Sequence, residues 1–236
     1  MIDGSTTPGR HSVDAIVERL AALPCKADLF NPYAGFDAEI EDADAPATRR
    51  RNLQRYLAAM ADHGVRDLWL GEAPSRFGAR RTGVPFTGDG RLADLSERLR
   101  LEPPLARVTR ETLPIRESGT SREIWNAMPA SLPLFWNAVL FHPHPHRGAL
   151  PLRNRRPTWT EIAEHREVLA TIVAIFAPRR ILCIGRVAQR AADGLGIPAT
   201  YVRHPAQGGA VRFRAGVAAF LNDRPPTAAP PSLSRP

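Results

Sequence analysis

A chain of 236 residues, 43% hydrophobic and 24% charged, can bury a sizeable core and has the composition of an ordinary globular domain. The formal net charge of +8 favours polyanionic partners, although Lys26 is the only lysine and so arginine-rich a composition could equally reflect codon usage. Two cysteines, Cys25 and Cys183, cannot supply a four-thiolate cluster or zinc site. The first residues lack the basic and apolar regions of a signal peptide, and no apolar run reaches membrane-spanning length, so a cytoplasmic protein without membrane contact is expected.

Residues up to about Arg10 read as a loose arm, and Ser12 is placed to cap a first helix with Val13, Ile16, Val17 and Leu20 at helical spacing. Pro24 to Ala47 is an irregular connection whose acidic run, Asp37 to Asp44, is expected to be a solvated loop. Leu53, Tyr56, Leu57 and Met60 mark an amphipathic helix ended by Gly64. Asp67 to Leu70 is the first central strand. It breaks into Gly71-Glu72-Ala73-Pro74 and a turn-rich loop that reaches Phe86. Arg91 to Leu99 reads as a helix, residues 102–118 have no clear period, and Ser121 to Met128 is a short helix.

Leu132 to Leu140 is the second strand and carries Asn137; a basic, proline-rich loop follows from Phe141 to Pro157. Thr158 and Glu161 form a capping box that opens a helix running to about Ala177. Arg180 to Ile184 and Ala199 to Val202 are the third and fourth strands, with a helix over Val187 to Leu195 between them and a last helix marked by Phe213, Val217 and Phe220. Strands alternating with helices predict an α/β fold, a three-layer α/β/α sandwich around a mainly parallel four-stranded sheet. The expected organisation is a flexible arm over 1–11, one domain over 12–223, and a disordered proline-rich tail over 224–236.

In a parallel sheet the strand ends deliver Glu72, Asn137 and His204 to one edge. Each has a bland alternative. Glu72 could be a solvated carboxylate, His204-Pro205 a turn, and Asn137 a satisfied amide within a strand. His142, His144 and His146 alternate with prolines, but no acid or cysteine stands beside them, so no metal site is expected.

Taken together, Gly71-Glu72-Ala73-Pro74, Asn137-Ala138-Val139 and Arg203-His204-Pro205 resemble, in order, the three active-site segments of the uracil-DNA glycosylase superfamily. Asn154 to Ile162 and Ile181 to Ala188 are similar to segments of its thermophile-type branch, often called family 4. The resemblance implies a monofunctional glycosylase of base-excision repair. Such an enzyme flips deoxyuridine from single- or double-stranded DNA, hydrolyses the N-glycosidic bond and leaves an abasic site. It implies no cofactor, a monomer, and association with the nucleoid through DNA.

By the same resemblance, Glu72 and His204 are catalytic; Phe86 stacks on the uracil, Asn137 reads it, and Gly71 and Ala73 complete its pocket. Pro74, Arg153, Arg155, Arg156, Arg203, Gln207, Gly208, Gly209 and Arg212 are the expected DNA contacts. Gln207, Val211 and Arg212 remain alternatives for filling the gap left by the flipped base.

The chain also departs from the branch. Phe141 and His165 stand where two cluster cysteines are found, so no iron–sulfur cluster is expected, and Gly78-Ala79 replaces an acidic pair, leaving Asp89 as a reserve carboxylate. A catalytically weak or inactive DNA-binding module on the same fold, and a glycosylase of broader base specificity, are therefore carried as alternatives. An unrelated nucleotide-binding enzyme is disfavoured because no G-x-G-x-x-G or P-loop pattern is present.

Overall fold

Every apolar run that reads as a strand becomes part of one parallel sheet. The computed structural model describes residues 8–145 and 153–223. In chain order the elements are α1 (Pro8–Ala22), β1 (Leu29–Phe30), α2 (Ala45–His63), β2 (Asp67–Gly71), α3 (Ala79–Thr82), a 3-10 turn at Asp89–Arg91, α4 (Leu92–Arg98) and α5 (Gly119–Ala127). They continue with β3 (Leu134–Asn137), β4 (His142–Pro143), α6 (Trp159–Glu164), α7 (Arg166–Phe176), β5 (Arg180–Ile184), α8 (Arg186–Asp193), β6 (Thr200–Val202) and α9 (Ala210–Asn222).

The four-stranded sheet has the order β3-β2-β5-β6, and each neighbouring pair is parallel. Successive residues Leu68, Trp69 and Leu70 are all buried, as are Leu134 to Asn137 and Ile181 to Ile184. Burial of alternate side chains on both faces means that helices cover both, as expected for a parallel sheet. The register sets Gly71 beside Asn137 and Leu70 beside Cys183. The chain runs from β2 outward to β3, then crosses back to β5 and β6, so the switch point lies between β2 and β5. A crevice outside the carboxyl ends of the strands is expected there. No helix among the described residues is long and apolar enough to cross a membrane.

Four local features differ from the sequence reading, and Ser12, expected to cap the first helix, lies inside it. Helix α1 starts at Pro8, inside the expected arm, while residues 1–7, the loop 146–152 with His146, and the tail 224–236 lie outside the described residues. The helix expected to run to Ala177 divides at His165 (φ −95°, ψ 0°), whose backbone N–H and ring Nδ1 both reach the Glu161 carbonyl. The second strand is shorter than expected, but its pairing persists beyond Asn137, because the N–H groups of Ala138 and Val139 donate to the carbonyls of Gly71 and Glu72 at 2.9 and 3.0 Å.

The fourth difference corrects the reading of the acidic run. Glu41 is fully buried and paired with buried Arg49, and Asp37 pairs with Arg80 at 2.9 Å. These carboxylates compensate arginines in the interior. Their partners lie on α2 and α3, beyond the reach of a local charge pattern.

Candidate active site

A cleft of ≈ 810 Å³ opens at the carboxyl edge of the sheet, and Glu72, Phe86, Asn137 and His204 all line it. The ends of β2, β3 and β6 supply Glu72, Asn137 and His204, while Gly185 at the end of β5 forms the remaining wall. Ala73, Pro74, Arg155, Arg156, Arg203 and Gln207 line it too. Gly71, Arg153, Gly208, Gly209 and Arg212 lie outside that lining.

Asn137 is 2% exposed, yet its side-chain amide has no hydrogen bond to protein among the described residues. The amide opens on the cleft, where a ligand or water can complete its hydrogen bonds. Gly71 explains how this amide and Phe86 share one spot. A Cβ on Gly71 would lie 2.5 Å from Asn137 Oδ1 and 2.4 Å from Phe86 Cζ, so the position has no room for a side chain. Gly71 therefore acts from behind the pocket wall.

Phe86 has a left-handed backbone (φ 56°), an uncommon and strained state for an aromatic residue. Its carbonyl accepts hydrogen bonds from Ser121 Oγ at 2.9 Å and Trp125 Nε1 at 3.1 Å, and its ring stands edge-on to Phe135 at 5.5 Å. These contacts hold the strained turn and fix the ring against the cleft.

Glu72 is half-buried, and burial raises its carboxyl above the usual range while the Arg156 guanidinium opposes the shift. It is the one carboxylate lining the cleft among the described residues. The reserve candidate Asp89 does not line it; Asp89 is buried against Arg81 at 3.2 Å and Thr109 Oγ1 at 2.8 Å.

His204 Nδ1 accepts the Ala206 N–H at 3.2 Å, which places the proton of the neutral ring on Nε2. Burial, reinforced by neighbouring Arg203, lowers its pKa to about 4. His204 therefore presents a neutral N–H donor. Two glycines shape its seat. Gly185 (φ 94°) would set a Cβ 3.2 Å from the His204 Cβ, and Gly209 would set one 2.0 Å from its carbonyl oxygen.

The expected DNA-contacting arginines divide into two groups. Arg155 is held by both oxygens of Glu161, at 2.5 and 2.9 Å, and by Asp28 at 2.9 Å, so it braces the wall. Arg203 donates to the His204 carbonyl at 2.9 Å. Arg153, Arg156 and Arg212 are exposed and have no ion-pair partner among the described residues.

Ser118, Thr120, Ser121, Asn154, Arg186 and Tyr201 also line the cleft, and the sequence reading gave them no role. Residues 118–121 follow a stretch without period, so only a weak capping pattern could have revealed them. Asn154 was visible within a motif, but its function is tertiary. Its Oδ1 accepts the Arg76 N–H at 3.1 Å and meets His142 Nε2 at 2.9 Å, tying the loop after Glu72 to β4. His142 is fully buried, with its pKa lowered to about 3 chiefly by burial, and is a neutral structural residue.

Phe141 and His165 do lie together, with ring centroids 4.7 Å apart and edge-on. This aromatic pair fills the space instead of thiolates, Cys25 is exposed, and Cys183 is buried in β5. An iron–sulfur cluster does not fit these residues. Among the described residues no group of three or more His, Cys, Asp or Glu is close enough to hold a metal ion.

A parallel sheet flanked by helices, with a carboxylate, an amide, a neutral histidine and an aromatic ring lining the cleft at its carboxyl edge, defines an α/β protein with its candidate site at the strand ends. The family model of the uracil DNA glycosylase superfamily matches residues 60–224, and the chain belongs to that superfamily. Among solved structures it is similar to wild-type SMUG2 of Pedobacter heparinus, with a TM-score of 0.56 at 12% identity over 89% of this chain and 95% of that one. At such identity the likeness is one of fold. No curated protein matches the chain.

Proposed function

We propose that the protein is a monofunctional uracil-DNA glycosylase that works without a cofactor on deoxyuridine extruded from DNA. The observation that carries this reading is the Asn137 amide, buried but unpartnered at the wall of a cleft shared with Phe86, Glu72 and His204. An amide can accept from uracil N3–H through Oδ1 and donate to O4 through Nδ2, while Phe86 stacks on the ring. As the C1′–N1 bond breaks, its electron pair leaves with the uracil and C1′ becomes cationic. The His204 Nε2–H stabilises the negative charge growing on uracil O2. Ionised Glu72 stabilises the cation and takes a proton from the water that adds to C1′. The uracil anion takes up a proton from solvent and Glu72 returns its proton there, so free uracil and an abasic site result.

The test is release of uracil from labelled single- and double-stranded DNA by wild type, Glu72→Gln, Asn137→Ala and His204→Ala. Excision by wild type with severe loss in all three variants is the expected result. A wild type that binds uracil-DNA but releases no base would overturn it. One observation favours a slow enzyme or a binding module. Gly78 and Ala79 line the cleft without a carboxylate, leaving Glu72 alone. Single-turnover rates decide between these readings, and a panel of other damaged bases tests broader specificity.

A further inference from the structure

Three of the four tryptophans are buried: Trp69, Trp125 and Trp136. Trp159 is 57% exposed, an unusual cost for an indole in the first turn of a helix. The helix does not need it there, because Thr158 and Glu161 already form both bonds of the capping box. Its surroundings are cationic. The Arg190 guanidinium lies 4.6 Å from the Trp159 ring centroid, and Arg186, one turn earlier on α8, lines the cleft and stacks on Tyr201 at 4.7 Å. Arg166 approaches the end of α8 at Gly194, and Arg156, three residues before Trp159, lines the cleft. None of Arg156, Arg166, Arg186 and Arg190 has an ion-pair partner among the described residues.

An exposed aromatic among unpaired arginines, continuous with the mouth of a cleft, is how single strands are held. The cations follow the phosphates and the ring stacks on a base. A paired base within a duplex already has both faces covered, so only an unpaired nucleotide can use the indole. We infer that Trp159, with Arg190 and Arg186, forms a stacking platform for an unpaired nucleotide flanking the target. The protein would then hold single-stranded DNA over a longer track than its base pocket occupies. This inference rests on the glycosylase reading for its direction, since the platform leads into that pocket.

The test uses the full chain and a uracil-free probe, a thymidine 20-mer. Because Trp159 is the exposed indole, the 20-mer should quench tryptophan fluorescence, and less so as salt increases. Trp159→Ala should abolish the quenching and weaken 20-mer binding about tenfold. Trp159→Phe should retain most of the affinity without the signal, and Arg190→Gln should weaken binding while still unfolding at the wild-type temperature. Blunt duplex should neither quench nor distinguish Trp159→Ala from wild type. Absence of quenching, or equal losses on duplex and single strand, would overturn the platform. Excision without quenching discards the platform alone. Quenching without excision discards the glycosylase reading and leaves the platform standing.

Discussion

Asn52 and Asn137 are both 2% exposed, and the difference between them separates the scaffold from the site. On α2, Asn52 donates to the carbonyls of Thr82 and Ala106 at 3.0 and 2.8 Å and accepts the Ala106 N–H at 3.0 Å. Asn31, also buried, makes three comparable bonds to Leu20, Leu23 and Tyr33. At the end of β3, Asn137 makes no side-chain bond to protein among the described residues. The same contrast holds for charge. Arg49 and Arg80 are enclosed with Glu41 and Asp37, whereas Arg156 and Arg186 face the cleft and make no salt bridge among the described residues, Arg156 acting on Glu72 only at longer range. Residues of one type are consumed by the scaffold in one region and left open to a ligand in the other. For these asparagines burial alone distinguishes nothing; what sets Asn137 apart is an amide that opens on the cleft without a protein partner.

The contrast breaks first at the interior ion pair. Arg49→Ala leaves Glu41 buried without its main partner and should cost roughly 3–5 kcal/mol of stability, measured by denaturant unfolding. The fraction that remains folded should excise uracil at close to the wild-type rate. The cleft should respond in the opposite way. Glu72→Gln is expected to lower kcat by about a hundredfold or more, with no loss of thermal stability at neutral pH. Burial has already raised the Glu72 carboxyl, so its ionised form opposes folding above the ordinary carboxylate range, and removing the charge relieves that cost. A clear drop in melting temperature for Glu72→Gln would place Glu72 with the scaffold.

The asparagines make the comparison direct. Asn52→Ala removes three hydrogen bonds and should destabilise the protein by about 2–3 kcal/mol while sparing catalysis. Asn137→Ala should leave unfolding nearly unchanged and lose uracil excision and uracil-dependent DNA affinity. Equal destabilisation by the two substitutions would show that the Asn137 amide is satisfied in solution.

The sheet was legible because β2, β3 and β5 carry buried apolar residues on both faces and its strands are separated by helical periods, and the convergence of Glu72, Asn137 and His204 follows from parallel topology. Features set by distant partners were not legible. Glu41 and Asp37 cannot be told from solvated acids until α2 and α3 bring Arg49 and Arg80 to them. Arg155 has the composition of a phosphate contact, but Glu161 and Asp28 engage its guanidinium. The break at His165 arises from a side chain bonding its own helix, which the apolar period cannot reveal. Trp159 sits where a helix begins, and nothing in its spacing indicated that it would face solvent under Arg190.

The smallest expected effect concerns pH, and it tests whether the site is tuned differently from a solvated surface. The His204 pKa is lowered from 6.5 to about 4, so the folded state disfavours its protonation. Its contribution to stability is complete above pH 6.5 and is lost as the pH falls through that window toward 4. His204 is thus already neutral throughout the physiological range, and its titration should contribute no inflection near 6.5 to kcat. Glu72 behaves oppositely: the ionised form that the proposed mechanism uses appears only as the pH rises through its raised pKa. The profile should therefore have one acidic limb, absent from the residual activity of Glu72→Gln, and a plateau above it. An inflection near 6.5 that persists in Glu72→Gln and disappears in His204→Asn would mean that His204 titrates like a solvated imidazole. In that case the Ala206 N–H would not be fixing its tautomer, and the donor on Nε2 would lose its preorganisation.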